Sequence, residues 1–329
     1  MLNHQNVLIT GGTGSFGKEF VETVLKKYPK INKLVIFSRD EQKQHQMSQI
    51  FNEQKYPCLR YFLGDIREFE RLNIAFQDID IVVHAAALKH VAAAEYNPFE
   101  FIKTNIMGSQ NVVTAALNNK VKNVIAISTD KAVAPANLYG ATKLCSDKIF
   151  LSGNNIKGTK KIKFSVVRYG NVFGSRGSVV PIFVEQRKKG ELTVTDKRMT
   201  RFNISIKESV NMVLWSLKNN FGGEIYIPKL PSYRVLDLAK AISPKSKIKF
   251  TGIKLGEKLH EILVLKNESD FILDIGKYFI QIQSEKLCKK LKKKFKKSKI
   301  IKEFFQYDSG SNSNFLNVEN LQHLIKNFE

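Results

Sequence analysis

The chain has 329 residues, of which 43% are hydrophobic, so it is long enough to bury a large core in one or two domains. No apolar run approaches the roughly 18 residues of a membrane span, and the polar start Met1 to Gln5 is unlike a signal peptide. The net charge of +23 raises the question of an anionic partner, whereas three cysteines and six histidines without ligand spacing predict reduced cytoplasmic thiols and no metal site.

A glycine-rich turn follows the first predicted strand, Asn6 to Thr10, and leads directly into a predicted helix from Phe16 to Tyr28. Gly11 permits a tight turn, Gly14 lets the backbone approach a pyrophosphate, and Gly17 packs the helix on the sheet. The free N–H groups of the helix N-terminus favour an anion. This context predicts a dinucleotide site rather than the alternative, a glycine loop with no ligand. The residues predicted to contact the cofactor here are Gly11, Thr13, Gly14, Ser15, Phe16 and Gly17.

The end of the second predicted strand, Lys33 to Phe37, indicates which dinucleotide binds. A carboxylate at this place would bind an adenosine ribose diol and repel a 2′-phosphate. The chain has Ser38 and Arg39 there, and Lys43 lies one helical turn later. The planar guanidinium of arginine can donate two hydrogen bonds to a phosphate. Asp40 is a carboxylate near the same place, but it is explained as the N-cap of the next helix. The sequence therefore favours NADP(H) over NAD, with Ser38, Arg39 and Lys43 as contacts.

Further strands and helices alternate along the chain, and this alternation predicts an α/β fold with a Rossmann-type, doubly wound parallel sheet. The strands are Arg60 to Leu63, Ile79 to His84, Asn123 to Ser128 and Ile162 to Arg168, and the main helices are Phe99 to Leu117 and Leu138 to Leu151. Asp65 and Ile66 follow the third strand and are expected at the adenine. Ala85, Ala86 and Ala87 follow the fourth strand and are expected beside the cofactor, although small residues also suit plain tight packing.

Acid, base and hydroxyl groups are concentrated after the strand that starts at Asn123. In open α/β sheets ligands bind beyond the carboxyl ends of strands, so this position indicates an active site. A Tyr-x-x-x-Lys pair alone is weak, because residues four apart share a helix face by chance. The alternative is that Thr129 and Asp130 cap a turn and that Lys131 is a solvated loop charge. The predicted catalytic residues are Thr129, Asp130, Lys131, Tyr139 and Lys143.

Much of the excess positive charge lies between Ser284 and Lys302, which hold ten lysines against Glu285. Leu287 and Leu291 recur there at helical spacing, so we expect the lysines to coat the outside of a docked helix. Arginine and exposed aromatic residues, which read bases, are sparse in this run. We therefore predict no dedicated nucleic-acid site, and the role of the run Lys286 to Lys302 stays open.

Nine phrases occur in order along the chain and together resemble one family, the inverting UDP-N-acetylglucosamine 4,6-dehydratases of the extended short-chain dehydrogenase/reductases, which are the first enzymes of pseudaminic acid biosynthesis. The phrases cover nearly the whole chain: Gly11 to Gly17, Val83 to Val91, Ser128 to Ala132, Tyr139 to Lys143, Arg168 to Gly174, Met199 to Phe202, Gly256 to Glu261, Tyr307 to Gly310 and Asn317 to Leu321. The Asp130-Lys131 pair discriminates best, since retaining 4,6-dehydratases resemble this chain but carry Asp-Glu, and 4-epimerases lack such a pair. Long membrane-bound relatives tend to have methionine in place of Tyr139. Lys254-Leu255 stands where the family usually has Arg-Pro, and lysine cannot make the bidentate phosphate contact of an arginine guanidinium.

The resemblance implies a role for each catalytic residue. Tyr139 takes the O4 proton with its pKa lowered by Lys143 and the nicotinamide charge, and Thr129 holds the same oxygen. Asp130, with a raised pKa, protonates the departing C6 hydroxyl, and Lys131, with a lowered pKa, takes the C5 proton. Either Lys131 or Tyr139 returns a proton to C5 with inversion. Substrate contacts are expected from Lys89, Asn171, Arg201, Lys254 and Glu257, while His90 is expected to pack or hydrogen-bond.

The resemblance also implies an NADP-binding Rossmann lobe at residues 1–170. Residues 171–329 then form mainly a substrate-binding lobe, interleaved with late elements of the first. Relatives of this kind form homo-oligomers, so a cytoplasmic homo-oligomer acting on UDP-GlcNAc is expected. Two rival functions remain: a UDP-sugar 4-epimerase of the same fold, and a non-catalytic NADP-sensing protein that binds nucleic acid.

Overall fold

A computed structural model describes residues 1–175, 177–301 and 305–326. Its strands are β1 (Asn6–Thr10), β2 (Lys33–Ser38), β3 (Leu59–Leu63), β4 (Ile81–His84), β5 (Asn123–Thr129), β6 (Lys163–Tyr169), β7 (Asn171–Val172), β8 (Glu191–Val194), β9 (Thr200–Ile204), β10 (Ile225–Pro228), β11 (Ser232–Arg234), β12 (Lys247–Phe250), β13 (Ile262–Val264), β14 (Ile272–Asp274), β15 (Tyr278–Gln281), β16 (Lys299–Ile300) and β17 (Tyr307–Asp308). Its α-helices are α1 (Ser15–Lys27), α2 (Glu41–Ile50), α3 (Phe69–Ala75), α4 (Val91–Tyr96), α5 (Pro98–Phe101), α6 (Gly108–Asn118), α7 (Leu138–Ile156), α8 (Val179–Arg187), α9 (Ile206–Asn219), α10 (Val235–Ile242), α11 (Glu285–Lys294) and α12 (Val318–Lys326). A π-helical segment spans Ile102–Met107, and 3₁₀ turns span Asp130–Ala132 and Lys266–Phe271.

The central sheet has ten strands in the order β16-β14-β15-β10-β6-β5-β4-β1-β2-β3. The seven strands from β10 to β3 are parallel, and β15, β14 and β16 add an antiparallel edge. Helices cover both faces, so the parallel strands are buried and their sequences are nearly continuous apolar runs. The strand order reverses between β1 and β4, which makes this the switch point where such sheets bind ligands. The predicted α/β, doubly wound class is confirmed.

Three predicted elements differ from the structure by more than one residue. The helix predicted from Leu138 to Leu151 continues to Ile156. The fourth strand begins at Ile81 rather than Ile79, because Asp78 has a left-handed backbone (φ 59°) and the Asp80 carboxylate accepts the Asn6 N–H at 2.8 Å. The predicted helix Phe99 to Leu117 is interrupted by the π-helical segment Ile102–Met107. Inside that segment the Asn105 side chain turns back to the Leu88 backbone, with which it makes two hydrogen bonds of 2.9 Å.

Smaller sheets complete the molecule: β11-β9-β7, β12-β8 and β13-β17. A second hydrophobic core lies among α8, β8, α10 and α12, separate from the core of the central sheet. The late strands β10 and β14 to β16 join the central sheet. The division at residue 170 stays a prediction, since nothing in the arrangement marks a boundary there.

The lysine run forms α11, which buries Leu287, Cys288 and Leu291 and leaves its lysines exposed, as the helical spacing predicts. Lys302, the last residue of the predicted run, lies outside the described residues. Among the residues that the structure describes, no helix is long and apolar enough to cross a membrane, and no cluster of histidine, cysteine or carboxylate groups is arranged to hold a metal ion.

Candidate active site

A cavity of about 670 Å³ opens at the carboxyl ends of the parallel strands, at the switch point between β1 and β4. Its volume lies in the range of ligand pockets. One end is walled by the glycine turn and the ends of β2 and β3, and the other by residues after β5 and β6. The cavity therefore joins the predicted dinucleotide site to the predicted acid–base residues.

The glycine turn fits an anionic ligand. Gly11 has a φ of 66°, and a Cβ there would lie 2.8 Å from Ala86 Cα, so glycine is required for the close approach of the two loops. Gly14 is the N-cap of α1, which has neither a capping side chain nor an acidic residue in its first turn. The N-terminus of α1 is thus left to an outside anion such as a pyrophosphate.

Every residue predicted to contact the cofactor lines this cavity: Gly11, Thr13, Gly14, Ser15, Phe16, Gly17, Ser38, Arg39, Lys43, Asp65, Ile66, Ala85, Ala86, Ala87, Tyr139 and Lys143. The structure therefore brings them together around one space large enough for a dinucleotide. Their individual roles stay predictions.

The carboxylates at the adenosine end are already paired. Asp40 caps α2 as predicted, since its Oδ1 accepts the Lys43 N–H at 2.9 Å, and its Oδ2 lies 2.5 Å from Lys43 Nζ. Asp65 accepts two hydrogen bonds from Arg67, at 3.0 and 2.7 Å, and Arg39 lies 3.7 Å from it. The Arg39 side chain is 53% exposed on the cavity wall. The Arg39 guanidinium is therefore available to a ligand at this end of the cavity.

The acid–base residues meet at the end of β5. Thr129, Lys131, Tyr139 and Lys143 line the cavity, whereas Asp130 is fully buried behind them. Lys131 Nζ lies 3.0 Å from Asp130 Oδ1, and the Thr129 hydroxyl donates to the same oxygen at 3.0 Å. Asp130 Oδ2 has no hydrogen-bond partner among the described residues. Asp130 Oδ1 is thus paired, whereas Oδ2 has no partner among the described residues.

The local sequence holds this cluster in place. Thr129 does cap the 3₁₀ turn, because its Oγ1 accepts the Lys131 N–H at 3.3 Å while its hydroxyl reaches Asp130. Asn137 caps α7 through the Gly140 N–H at 2.8 Å. A Cβ at Gly140 would overlap the Lys131 carbonyl oxygen, so glycine lets α7 lie against the turn. The capping alternative is therefore correct for Thr129, but capping does not keep its hydroxyl out of the cluster.

The expected lowering of the Tyr139 pKa by Lys143 and the nicotinamide charge stays a prediction. Lys143 Nζ donates to the Ile127 carbonyl oxygen at 2.8 Å, and burial lowers its pKa. Burial raises the pKa of Tyr139 to about 12, and Lys131 is the main group that opposes this shift. Lys131 therefore also acts on the phenol.

The pKa of Asp130 is raised, as the acid role requires, because the carboxyl is buried, although Lys131 acts in the other direction. The expected lowering of the Lys131 pKa is wrong. Burial does lower it, but Asp130 and Glu261 outweigh burial, so the net pKa is raised. Lys131 is therefore an ammonium held between two carboxyl groups, not a neutral amine.

Glu261 is the residue that the sequence interpretation missed. It precedes β13, is only 2% exposed, and places its Oε1 3.2 Å from Lys131 Nζ and 3.6 Å from Arg201 Nε. Its only sequence signal is its place at the end of the phrase Gly256 to Glu261. Nothing in the spacing shows that a residue 130 positions after Lys131 contacts it.

The predicted substrate residues divide into two groups. Lys89 and Asn171 line the cavity, and Asn171 Oδ1 lies 3.4 Å from Lys131 Nζ. Arg201 turns to the backbone instead, donating to Thr200 O at 2.7 Å, and pairs with Glu261. Lys254 and Glu257 lie together on the loop before β13, where Lys254 is exposed and neither residue lines the cavity.

The polysaccharide biosynthesis protein family matches residues 7–283. The inverting UDP-N-acetylglucosamine 4,6-dehydratase of Campylobacter jejuni subsp. jejuni strain 81-176 is 49% identical, over 100% of this chain and 99% of that protein. The chain belongs to this dehydratase family.

Two other relatives show the breadth of the family. Pen from Bacillus thuringiensis has a solved structure with a TM-score of 0.89 and 37% identity, covering 99% of this chain and 98% of that one. The UDP-glucose 4-epimerase of Rickettsia bellii strain OSU 85-389 is 38% identical, over 100% of this chain and 97% of that protein. Overall similarity to the dehydratase family thus extends to a protein named for a different reaction. The residues of the site must distinguish the two.

Proposed function

We propose that this chain is a UDP-GlcNAc 4,6-dehydratase that inverts C5, with UDP-2-acetamido-2,6-dideoxy-β-L-arabino-hexos-4-ulose as its product. One observation carries the proposal: a buried carboxyl with a raised pKa, Asp130, lies next to Lys131 beside Tyr139. A 4-epimerase needs the tyrosine but no second acid–base pair. The 49% identity to a dehydratase over the full chain supports the same conclusion.

We infer NADP rather than NAD as the cofactor. This is supported by Arg39 and Lys43, which line the cavity, and by the pairing of Asp40 with Lys43 and of Asp65 with Arg67, since neither carboxylate is then an unpaired partner for a ribose diol. The glycine turn and α1 would hold the pyrophosphate. A bound nicotinamide supplies reversible two-electron chemistry, oxidising the sugar at C4 and reducing it at C6.

The protein's own residues move the protons. Tyr139 accepts the O4 proton during oxidation, after which the C4 ketone acidifies the C5–H bond. Lys131 accepts the C5 proton as the C5=C6 bond forms, and Asp130 gives its proton to the C6 oxygen as the C6–O bond breaks and water leaves. A proton returned to the opposite face of C5 completes the inversion, and the overall reaction is the loss of one water molecule with hydrogen moved from C4 to C6 and no net oxidation.

Two features of the free protein must change when the sugar binds. Lys131 is charged between two carboxylates and must lose a proton before it can act as a base. Asp130 has no exposed surface, whereas the Lys131 side chain is 24% exposed. We therefore place the contact of Asp130 with the C6 oxygen after the Lys131 side chain has turned toward C5. Hydrogen bonds of an active site often tighten only in the substrate complex.

The test is incubation with UDP-GlcNAc, without added cofactor and then with NADP, followed by NMR of the product. A C6 methyl signal, with the L-arabino configuration at the earliest time points and deuterium at C5 in D₂O, is the expected result. UDP-GalNAc as the only product would establish the 4-epimerase, which the Rickettsia relative makes the second candidate. A D-xylo first product would instead mean a retaining dehydratase and a different role for Lys131.

A further inference from the structure

A third charged residue, Glu261, is built into the acid–base pair. We propose that Glu261 is a positioning residue: it supplies the counter-charge of the Lys131 ammonium, so that Asp130 stays protonated and can act as the acid. This inference rests on the proposed dehydratase function and deepens it. It adds a residue from the last third of the chain to a reaction otherwise assigned to residues 129–143.

The geometry places one cation between two buried carboxylates. Lys131 Nζ lies 3.0 Å from Asp130 Oδ1 and 3.2 Å from Glu261 Oε1. Both carboxyls are buried, at 0% and 2% exposure. Two buried carboxylates that share one lysine cannot both ionise without a large desolvation cost, so one of them holds a proton.

The surrounding cations decide which carboxyl holds that proton. Glu261 has a second cation, Arg201, with Nε 3.6 Å from its Oε1, and Lys258 acts on it from the same loop. Each carboxyl leaves one buried oxygen, Asp130 Oδ2 or Glu261 Oε2, without a hydrogen-bond partner among the described residues, but Asp130 has Lys131 as its only ion-pair partner there. The second negative charge is therefore more stable on Glu261, and the proton belongs on Asp130.

Other titratable groups face the cluster from each neighbouring element. Tyr139 lies on α7, Tyr233 on β11, Arg201 on β9, and Lys89 on the loop after β4. Both tyrosines are neutral near pH 8, because burial raises the pKa of each to about 12. Besides Lys131, the charged groups that act on Asp130 include Glu261 and Lys258, and Glu261 is the one whose negative charge favours a proton on Asp130. Burial raises the pKa of Asp130, Lys131 opposes this, and Glu261 adds to it.

Glu261 is held by its backbone rather than left on a loose loop. Its N–H donates to Ser309 Oγ at 2.9 Å, and the Ser309 N–H donates to its carbonyl oxygen at 2.8 Å. Ser309 Oγ lies 2.7 Å from Thr200 Oγ1, which in turn contacts His260 Nδ1 at 2.8 Å. A carboxylate anchored this way keeps a constant distance to Lys131, which a charge-setting role needs.

The test is the pH dependence of kcat/KM for dehydration, measured by NMR for wild type, Glu261→Gln and Glu261→Asp. The basic limb of this profile reports the loss of the proton of the general acid in the free enzyme. In Glu261→Gln, Asp130 becomes the only carboxylate beside Lys131, so its pKa falls. We expect the limb to move about one pH unit to lower pH, and the rate on the basic side of the profile to fall by up to about tenfold. The basic limb of Glu261→Asp, which keeps the negative charge, should lie between the limbs of wild type and Glu261→Gln.

Deuterium exchange at C5 of the substrate tests whether Glu261 sets the protonation of Asp130 or only supports the structure of the site. Removing Glu261 takes away a group that raises the Lys131 pKa, so the base should survive while the acid is lost. UDP-GlcNAc recovered from Glu261→Gln in D₂O should therefore carry more C5 deuterium per methyl product formed than substrate recovered from wild type. The matched control is Glu185→Gln on α8, an exposed glutamate paired with Lys188, which should match wild type in both measurements.

An unmoved basic limb in Glu261→Gln, with exchange and dehydration falling together, would overturn the inference. If Glu261→Gln does not fold, Ser309→Ala keeps every charge but loosens the anchor. It should shift the limb in the same direction, and a limb at the wild-type position would count against the inference. If wild type itself makes no C6 methyl product, it is the proposed function that has failed. If wild type is active and only the limb stays in place, the failure belongs to Glu261 alone.

Discussion

The Lys131 ammonium lies between two buried carboxyl groups, those of Asp130 and Glu261, so its removal should cost stability as well as activity. We expect Lys131→Ala to lose dehydration below detection while it keeps the cofactor cavity, because no residue of the glycine turn contacts Lys131 among its described partners. Leaving Asp130 and Glu261 without this cation should lower the free energy of unfolding by about 3–5 kcal/mol near pH 8. NMR turnover, dinucleotide titration and urea unfolding measure the three effects.

The lost stability in Lys131→Ala should depend on pH. Without Lys131 the pKa of Asp130 rises further, and a group with a raised pKa in the folded state stabilises it below the unfolded value and loses this as pH rises. The deficit relative to wild type should therefore shrink as the pH falls from about 8 toward about 4. Lys188→Ala, at an exposed ion pair, is the control. A deficit that is constant with pH would contradict a buried charge as its cause.

Arg39 should matter for the choice of dinucleotide more than for binding as such. Its side chain is half-exposed on the cavity wall and makes only a long, 3.7 Å contact with Asp65. We expect Arg39→Ala to weaken NADP about 10- to 100-fold and NAD much less, since only the 2′-phosphate loses a charged partner. Calorimetric titration of both dinucleotides measures this, with Arg198→Ala as an exposed control. Equal losses would mean that Arg39 is structural.

At the level of elements, the π-helical segment Ile102–Met107 ties a helix to the cavity wall. Asn105 hydrogen-bonds the N–H and carbonyl of Leu88, at 2.9 Å each, and contacts Thr142 Oγ1 at 3.0 Å. We expect Asn105→Ala to lower the free energy of unfolding by about 2–4 kcal/mol, because buried backbone groups lose their partners. Urea unfolding checks this, with exposed Gln110→Ala on α6 expected within about 0.5 kcal/mol of wild type. Similar stabilities for the two variants would refute this role.

The strands and the glycine turn were predictable because local patterns dictate them. Apolar runs such as Leu34 to Phe37 are buried on both faces of a parallel sheet, so they need no tertiary information. The π-helical segment has no such signal: its cause is a pairing between Asn105 and Leu88, 17 residues apart. The start of β4 depends on Asp80 meeting Asn6, 74 residues away. The bounds of β4 and the interruption of the helix by the π-helical segment depend on distant partners, and both were predicted wrongly.

The same distinction holds for the site. The residue types at 129–131, 139 and 143 identify the active site in the sequence, but the protonation states of these residues do not follow from the residue types alone. It depends on Glu261 and Arg201, which folding brings to Lys131 from 130 and 70 positions away in the chain. The expected low pKa of Lys131 was wrong for this reason. Motifs identify the chemical groups, whereas only the assembled molecule fixes their charges.

The excess positive charge of the whole molecule is concentrated enough to strain it. Lys157 and Lys294 have lowered pKa values, chiefly from burial, with added repulsion from Lys163 for both and from Lys290 for Lys157. We expect the melting temperature to rise by a few degrees between about 20 and 200 mM NaCl, as salt screens this repulsion. Lys290→Glu should reduce the rise, and exposed Lys188→Glu, far from this cluster in sequence, should reduce it less. A melting temperature that falls with salt would contradict the repulsion.

The two hydrogen bonds between Ser309 and Glu261 join residues that the ribosome adds late in synthesis. Every residue that lines the cavity lies between Gly11 and Ile206, so the surface for the dinucleotide is encoded in the first two-thirds of the message. Glu261 and the serine that anchors it are translated after this surface. A polypeptide whose translation stopped before Glu261 would contain Asp130 and Lys131 but not the carboxylate that sets their protonation. Synthesis through Ser309, rather than formation of the cofactor surface, would then switch the chemistry on.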